Sequence, residues 1–288
     1  MVLVAPLSDR HPAHGRDEVL ALLRDGAGQR PRFDPGLAGG LRAWLEDAAC
    51  LVVQARGEDA PPLFLGPRQL LGQAGGWFRS EEGDGEGGAE DGGATMSTPL
   101  VTACLVHVLF RQLVTTGAVG DPLVDGLAAL RVDPGRADAV RHVEALPVGA
   151  RAALAATLAN HVGHLIDLTP RFAPGWLPRT DDRVAIPLAG GRVVLHGVFD
   201  LLVGAPVAGT ASLCAVGLTS GGPWARARRV LHYLALLETL RSGTPPFRLA
   251  LLHSAAGHYG VEDIREEHLR AMVSHLVRRL ADPAVTGD

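Results

Sequence analysis

Residues 192–203 read Arg-Val-Val-Leu-His-Gly-Val-Phe-Asp-Leu-Leu-Val, and residues 211–221 read Ala-Ser-Leu-Cys-Ala-Val-Gly-Leu-Thr-Ser-Gly. Both are short apolar runs rich in β-branched residues and bounded by Gly, the pattern of strands. Residues 224–241 then place Val230, Tyr233, Leu234, Leu237 and Leu240 on one side of a helix. Residues 247–254, Phe-Arg-Leu-Ala-Leu-Leu-His-Ser, are nearly all apolar, as buried strands are. The order is strand, strand, helix, strand. Alternation along the first strand puts Val194, His196, Val198, Asp200 and Leu202 on one face. A carboxylate among such neighbours needs a partner. One of the many Arg residues is one candidate, and a metal ion is the other.

This stretch resembles the core of the PD-(D/E)XK nucleases, in particular the RecB-type exonuclease branch. That branch carries Gly-x-hydrophobic-Asp on one strand, acid-x-Lys-Thr-Gly on the next, and Gln-x-x-x-Tyr on the following helix. Gly197-Val198-Phe199-Asp200 matches the first element. The second falls on Val216 to Gly221, with Gly217 at the acid position and Thr219 at the Lys position. The third falls on Arg229 to Tyr233, keeping Tyr233 and replacing Gln by Arg229. A His on an earlier helix, within Gly-x-x-x-His, serves that branch as a metal ligand. Ala103 to His107 matches it with Ala for Gly, although a His on an apolar helix face also reads as a hydrogen-bonded core residue.

The resemblance implies an α/β fold with a restriction-endonuclease-like core: a central mixed sheet flanked by helices, preceded by an N-terminal helical extension. It implies His107 and Asp200 as relic metal ligands, and Gly217, Thr219, Tyr233 and Arg229 as degenerate catalytic positions. Catalysis in this family needs carboxylates around Mg²⁺ and a Lys that orients water. Here Gly217 offers no carboxylate and Thr219 no charge. The resemblance therefore implies a degenerate nuclease-fold protein acting as a nucleic-acid-binding or scaffold subunit in DNA processing or defence. Arg226, Arg228 and Arg229 are its candidate phosphate contacts, and DNA or a helicase, nuclease or other protein subunit its candidate partner. No cofactor is expected. Two alternatives stay open. One is a weak metal-dependent DNase using Mg²⁺ or Mn²⁺, with groups migrated to Arg226, Arg228, Arg229 or Glu238. The other is a protein-interaction module without nucleic acid.

The chain of 288 residues is 47% hydrophobic, with a net charge of −4. All 27 basic residues are Arg, so no Lys elsewhere can replace the one absent at Thr219. Six acids, Glu81, Glu82, Asp84, Glu86, Glu90 and Asp91, crowd one Gly-rich run, and setting them aside leaves +2. That balance is neither acidic nor a basic patch. Cys50, Cys104 and Cys214 fit no zinc or disulfide spacing and cannot supply the four ligands of an iron–sulfur cluster. They read as buried thiols in a reducing compartment. With no signal-peptide pattern at Met1 and no apolar run of membrane-spanning length, the expectation is a cytoplasmic protein away from membranes.

Three regions are expected: an N-terminal helical region over residues 1–71, an acidic Gly-rich loop over 72–94, and the nuclease-like core over 95–288. In the first, residues 16–24 suggest a helix, and Asp34-Pro35 opens another that runs to Cys50. Ser97 and Pro99 open a helix to Thr116. Two short helices between Pro122 and Leu146 divide at Asp133-Pro134-Gly135. Val148 to Leu168 is one long helix, whose His161 and His164 read as structural. Val184–Leu188 pairs with Arg192–Val203 across Ala189-Gly190-Gly191, Tyr259–Ile264 adds an edge strand, and Glu266–Leu280 closes the chain as an amphipathic helix.

Overall fold

The apolar runs pair into one six-stranded mixed sheet with helices on both faces. The computed structural model describes residue 23 and residues 30–57, 59–71, 96–205, 207 and 210–283. The helix expected over residues 16–24 and the acidic loop over 72–94 fall almost wholly outside them.

In chain order the elements are α1 (Leu37–Arg56), β1 (Leu63–Leu65), α2 (Pro67–Leu71), α3 (Thr98–Thr116), α4 (Pro122–Arg131), α5 (Ala137–Ala145) and α6 (Val148–Leu168). There follow β2 (Arg179–Leu188), β3 (Val193–Val203), β4 (Cys214–Thr219), α7 (Trp224–Ser242), β5 (Arg248–His253), β6 (His258–Asp263) and α8 (Glu266–Leu280). The α3 and α8 bounds agree with the sequence reading to within a residue, because a proline or acid-rich first turn and an apolar stripe mark both. Helix α1 begins three residues after Asp34. The Asp34 carboxylate accepts from the Gly36 amide at 2.7 Å and so builds a turn ahead of the helix rather than capping it.

One face of the sheet packs on α1, α7 and α8 through Leu45, Tyr233, Leu237 and Leu276. The other packs on α3 to α6 through Leu105, Phe110, Leu158 and Leu165. Helix α3 is long and apolar enough to cross a membrane by length and composition. Here its apolar stripe, including Val101, Leu105 and Leu109, is buried in that second layer. The N-terminal region is built into the same body, since β1 pairs with β3 in parallel and α1 shares a core with α7 and α8. Of the three thiols, Cys104 and Cys214 are buried, whereas Cys50 is exposed on α1. It follows the buried pair Ala48 and Ala49, where the helix has turned its other side to water.

The strand β3 holds the sheet together. On one edge β2 pairs antiparallel along nearly its whole length. On the other, β1 takes Val193–Leu195 and β4 takes Leu201–Val203. Strand β3 thus has no ladder on that edge from His196 to Asp200. The pleat also slips there. Val193, Leu195 and Phe199 join the core under α7, and Leu201 and Val203 join the opposite core. Leu202 consequently packs with Phe199, not on the Asp200 side as strict alternation would place it. In β2 the residue at this level is Asp181, held at a φ of 54°.

Gly197 is where α7 comes closest to β3. A Cβ on it would stand 2.6 Å from Leu234 Cδ2, inside van der Waals contact. Gly197→Ala is expected to destabilise the fold by about 1–3 kcal/mol through overpacking. An unchanged urea midpoint for Gly197→Ala would contradict this packing.

Candidate functional site

The gap between β1 and β4 opens into a cavity of about 310 Å³. Its floor is the unpaired part of β3, its walls are α3 and α7, and its rim carries Phe64, Gly66 and Gln69 from the β1–α2 corner. These rim residues carried no sequence signal, because a three-residue strand and a five-residue helix are too short for periodicity to show. His107, Asp200, Gly217, Thr219 and Arg226 all line the cavity. The sequence-predicted centre is therefore brought together, apart from Arg228, Arg229 and Tyr233.

Asp200 is held by two groups of the chain, neither of them an Arg. Its Oδ1 lies 2.9 Å from His107 Nδ1, and its Oδ2 accepts from the Leu218 amide at 2.8 Å. The carboxylate so replaces a ladder bond where β3 and β4 diverge. His107 reaches it from α3, and both side chains are about one-quarter exposed, at 28% and 25%. On the same face of α3, one turn back, Cys104 Sγ meets the buried Arg136 guanidinium at 3.4 Å.

Gly217, Thr219 and Tyr233 are all engaged in packing or turns. Gly217 lies on β4 beside Asp200, and a Cβ there would come within 2.9 Å of Leu231 Cδ2. Leu231 on α7 occupies the space a carboxylate would need. The Thr219 hydroxyl donates to the Gly221 carbonyl and accepts from the Gly221 amide, closing a turn after β4. Tyr233 is fully buried, and its hydroxyl is shared between the carbonyls of His196, at 3.0 Å, and Leu65, at 3.2 Å. Burial holds its pKa well above that of a free phenol.

A hard dication does not fit this centre. Asp200 has one oxygen on a backbone amide and the other on His107, and the second acid of the lining, Asp181, is paired with Arg111 at 2.6 Å. Nor do the migrated groups supply a free acid. Glu238 is buried far along α7, hydrogen-bonded by Arg241 at 2.8 Å, and burial pushes its pKa up against that pairing. The side chain of Arg228 points away from the cavity and donates to both carboxylate oxygens of Glu262. Its Nε and Nη2 are committed to Glu262 and not to the cavity where a phosphate contact was expected. Arg229 is exposed on α7, and Arg226 stands at the cavity wall. His161 and His164 are structural, as expected. Their Nδ1 atoms meet the Ser254 hydroxyl at 2.9 Å and the Ser254 carbonyl at 2.7 Å.

A second polar cluster was not legible in the sequence. His232, Glu262 and His268 come from α7, β6 and α8, and their ligand atoms lie within 4.8 Å of one another. No local spacing announces them. Burial alone would raise the Glu262 pKa. The hydrogen bonds from Arg228 and His232, with their charges, outweigh it and hold the group at about 2.

No protein-family model matches the chain, and no curated protein matches it significantly.

Three measurements follow from this geometry. Asp200→Ala strands the Leu218 amide, so it should cost about 1–3 kcal/mol in chemical denaturation. Gly217→Asp should destabilise by about 1–3 kcal/mol by overpacking against Leu231, and Leu231→Ala in the same chain should recover part of that loss. If Gly217→Asp is as stable as wild type, Leu231 does not fill the acid position. Finally, Glu262 has a depressed pKa, so its stabilisation is complete above its unfolded pKa of about 4.5 and is lost as pH falls toward about 2. Acid unfolding of Glu262→Gln should show a flatter pH dependence than wild type across that window.

Proposed function

We propose that the chain is a PD-(D/E)XK nuclease-like protein that does not cut. In this reading it acts as a nucleic-acid-binding subunit within DNA processing or defence. The order α6, β2, β3, β4, α7, β5 is the helix–three strands–helix–strand order of that superfamily, and it supports the family reading. The adjacency of Asp200 and Gly217 across β3 and β4, with His107 reaching over from α3, supports it further.

One observation carries the non-catalytic half. Both oxygens of Asp200 already have partners, and Leu231 stands against Gly217 where a second carboxylate would lie. Opening the site would leave the Leu218 amide unpaired and displace a packed leucine. Binding is supported by the cavity and its basic rim. Arg68 and Arg226 line it, and Arg229 is exposed on the same helix as Arg226. Asp181 and Asp200 keep the floor acidic, so phosphates belong at the rim and an unstacked base or end in the apolar cavity.

The test uses the purified full chain with labelled single- and double-stranded DNA. No Mg²⁺- or Mn²⁺-dependent cleavage is expected, and binding should weaken as salt rises. Arg226→Ala with Arg229→Ala should weaken binding and flatten its salt dependence. Metal-dependent cleavage abolished by Asp200→Ala would overturn the non-catalytic reading. Absence of salt-dependent binding would overturn the nucleic-acid reading and leave a protein scaffold.

A further inference from the structure

The cluster of His232, Glu262 and His268 joins α7, β6 and α8 and lies outside the lining of the Asp200 cavity. The three side chains are nearly closed off, at 13%, 11% and 16% exposure. His232 Nε2 lies 3.0 Å from Glu262 Oε2, and His268 Nε2 lies 3.6 Å from Glu262 Oε1. The imidazole rings stack with centroids 5.0 Å apart and planes 12° from parallel. Two ring nitrogens therefore converge on one carboxylate.

Hydrogen bonding explains only half of this. The His232 contact is a normal hydrogen bond. The His268 contact is too long to be one, and His268 Nδ1 is buried with no partner. Neither nitrogen of His268 is satisfied, although its ring is held against its neighbours. Zinc binds His nitrogen and carboxylate oxygen at about 2.0–2.2 Å in a tetrahedron. Ligand atoms of such an ion stand about 3–3.5 Å apart; here one ligand atom from each residue lies within 4.8 Å of the other two, so small side-chain shifts would close the site.

We propose that His232, Glu262 and His268 form a binding site for a divalent transition metal with the preferences of zinc, its fourth position taken by water. Each carboxylate oxygen has two acceptor sites. Arg228 takes one on each and fixes the orientation of Glu262; the second on Oε1 is open to the ion, and the second on Oε2 holds the His232 hydrogen bond that the ion would replace. The positive charge of Arg228 opposes a dication and weakens its binding. The ion would join α7, β6 and α8, and so clamp the edge strand of the sheet to two helices.

The test begins with full-length protein stripped by a chelator and titrated with Co²⁺, then Zn²⁺. One tightly held Co²⁺ per chain is expected, with the intense visible bands of tetrahedral coordination, displaced by one Zn²⁺. Zinc should raise the melting temperature. His232→Gln and His268→Gln should each lose the bands and the thermal shift, while His142→Gln on α5 keeps both. Arg228→Met should bind about tenfold or more tightly, because it removes the opposing charge. Absence of tetrahedral Co²⁺ on the wild type overturns the proposal, whether or not any variant folds. So does uptake that survives both histidine changes, or an affinity that Arg228→Met leaves unchanged or lowers.

Discussion

The structure depends on how strand β3 meets its hydrogen-bonding obligations between His196 and Asp200. A central strand with a bare edge inside a protein costs free energy at every unpaired amide and carbonyl. Here β1 and β4 occupy the same edge of β3 but do not touch, and side chains repair the opening between them. The Tyr233 hydroxyl, from α7, bridges the His196 and Leu65 carbonyls and so joins β3 to β1. The Asp200 carboxylate takes the Leu218 amide and so joins β3 to β4. Both repairs are made by residues that the nuclease resemblance singles out. At these two points a side chain stands in for a ladder bond, and the cavity opens between them.

The same residues therefore serve a structural purpose whatever their ancestry. Asp200 with an oxygen on an amide and another on His107 behaves as a packed, partnered carboxylate. Tyr233 is a buried hydroxyl bonded to two carbonyls. Tyr233 and Asp200 have a structural role that Gly217 and Thr219 do not share. The first pair closes the backbone of the sheet, whereas an acid at Gly217 or a Lys at Thr219 would have no backbone group of β3 to satisfy.

Much of this was legible in the sequence, for reasons that can be stated. The helices α3 and α8 have clear boundaries and sustained apolar stripes, and their ends were read closely. The order of β3, β4, α7 and β5 followed from run lengths and glycine punctuation. Meeting of His107 and Asp200 was expected from the resemblance, since the two are 93 positions apart and no periodicity relates them. What escaped has equally definite causes. Strand β1 and helix α2 are too short to show a pattern, yet they supply the cavity rim. The slip of the pleat at Asp200 is set by Asp181 across the hairpin, a tertiary effect that strict alternation cannot register. Arg228 looked like a phosphate contact on composition, but β6 places Glu262 beneath it. The group around Glu262 draws one residue from each of three elements, with nothing in its spacing to announce it.

Helix α7 links these observations. It is buried almost all round, so each of its faces must be matched by a different neighbour. Val230, Leu231 and Leu234 face the cavity and leave room for no side chain at Gly197 or Gly217. Arg228 and His232 face Glu262 on the edge strand. Glu238 is bonded to Arg241, which reaches Asp182 on β2 at 2.7 Å. A helix committed on three sides cannot rotate to admit a carboxylate at Gly217 without breaking a buried ion pair elsewhere. Buried pairs broken by the loss of one partner are costly. The centre at Asp200 and the polar cluster at Glu262 thus share one helix of fixed orientation, and a carboxylate at Gly217 would require α7 to repack.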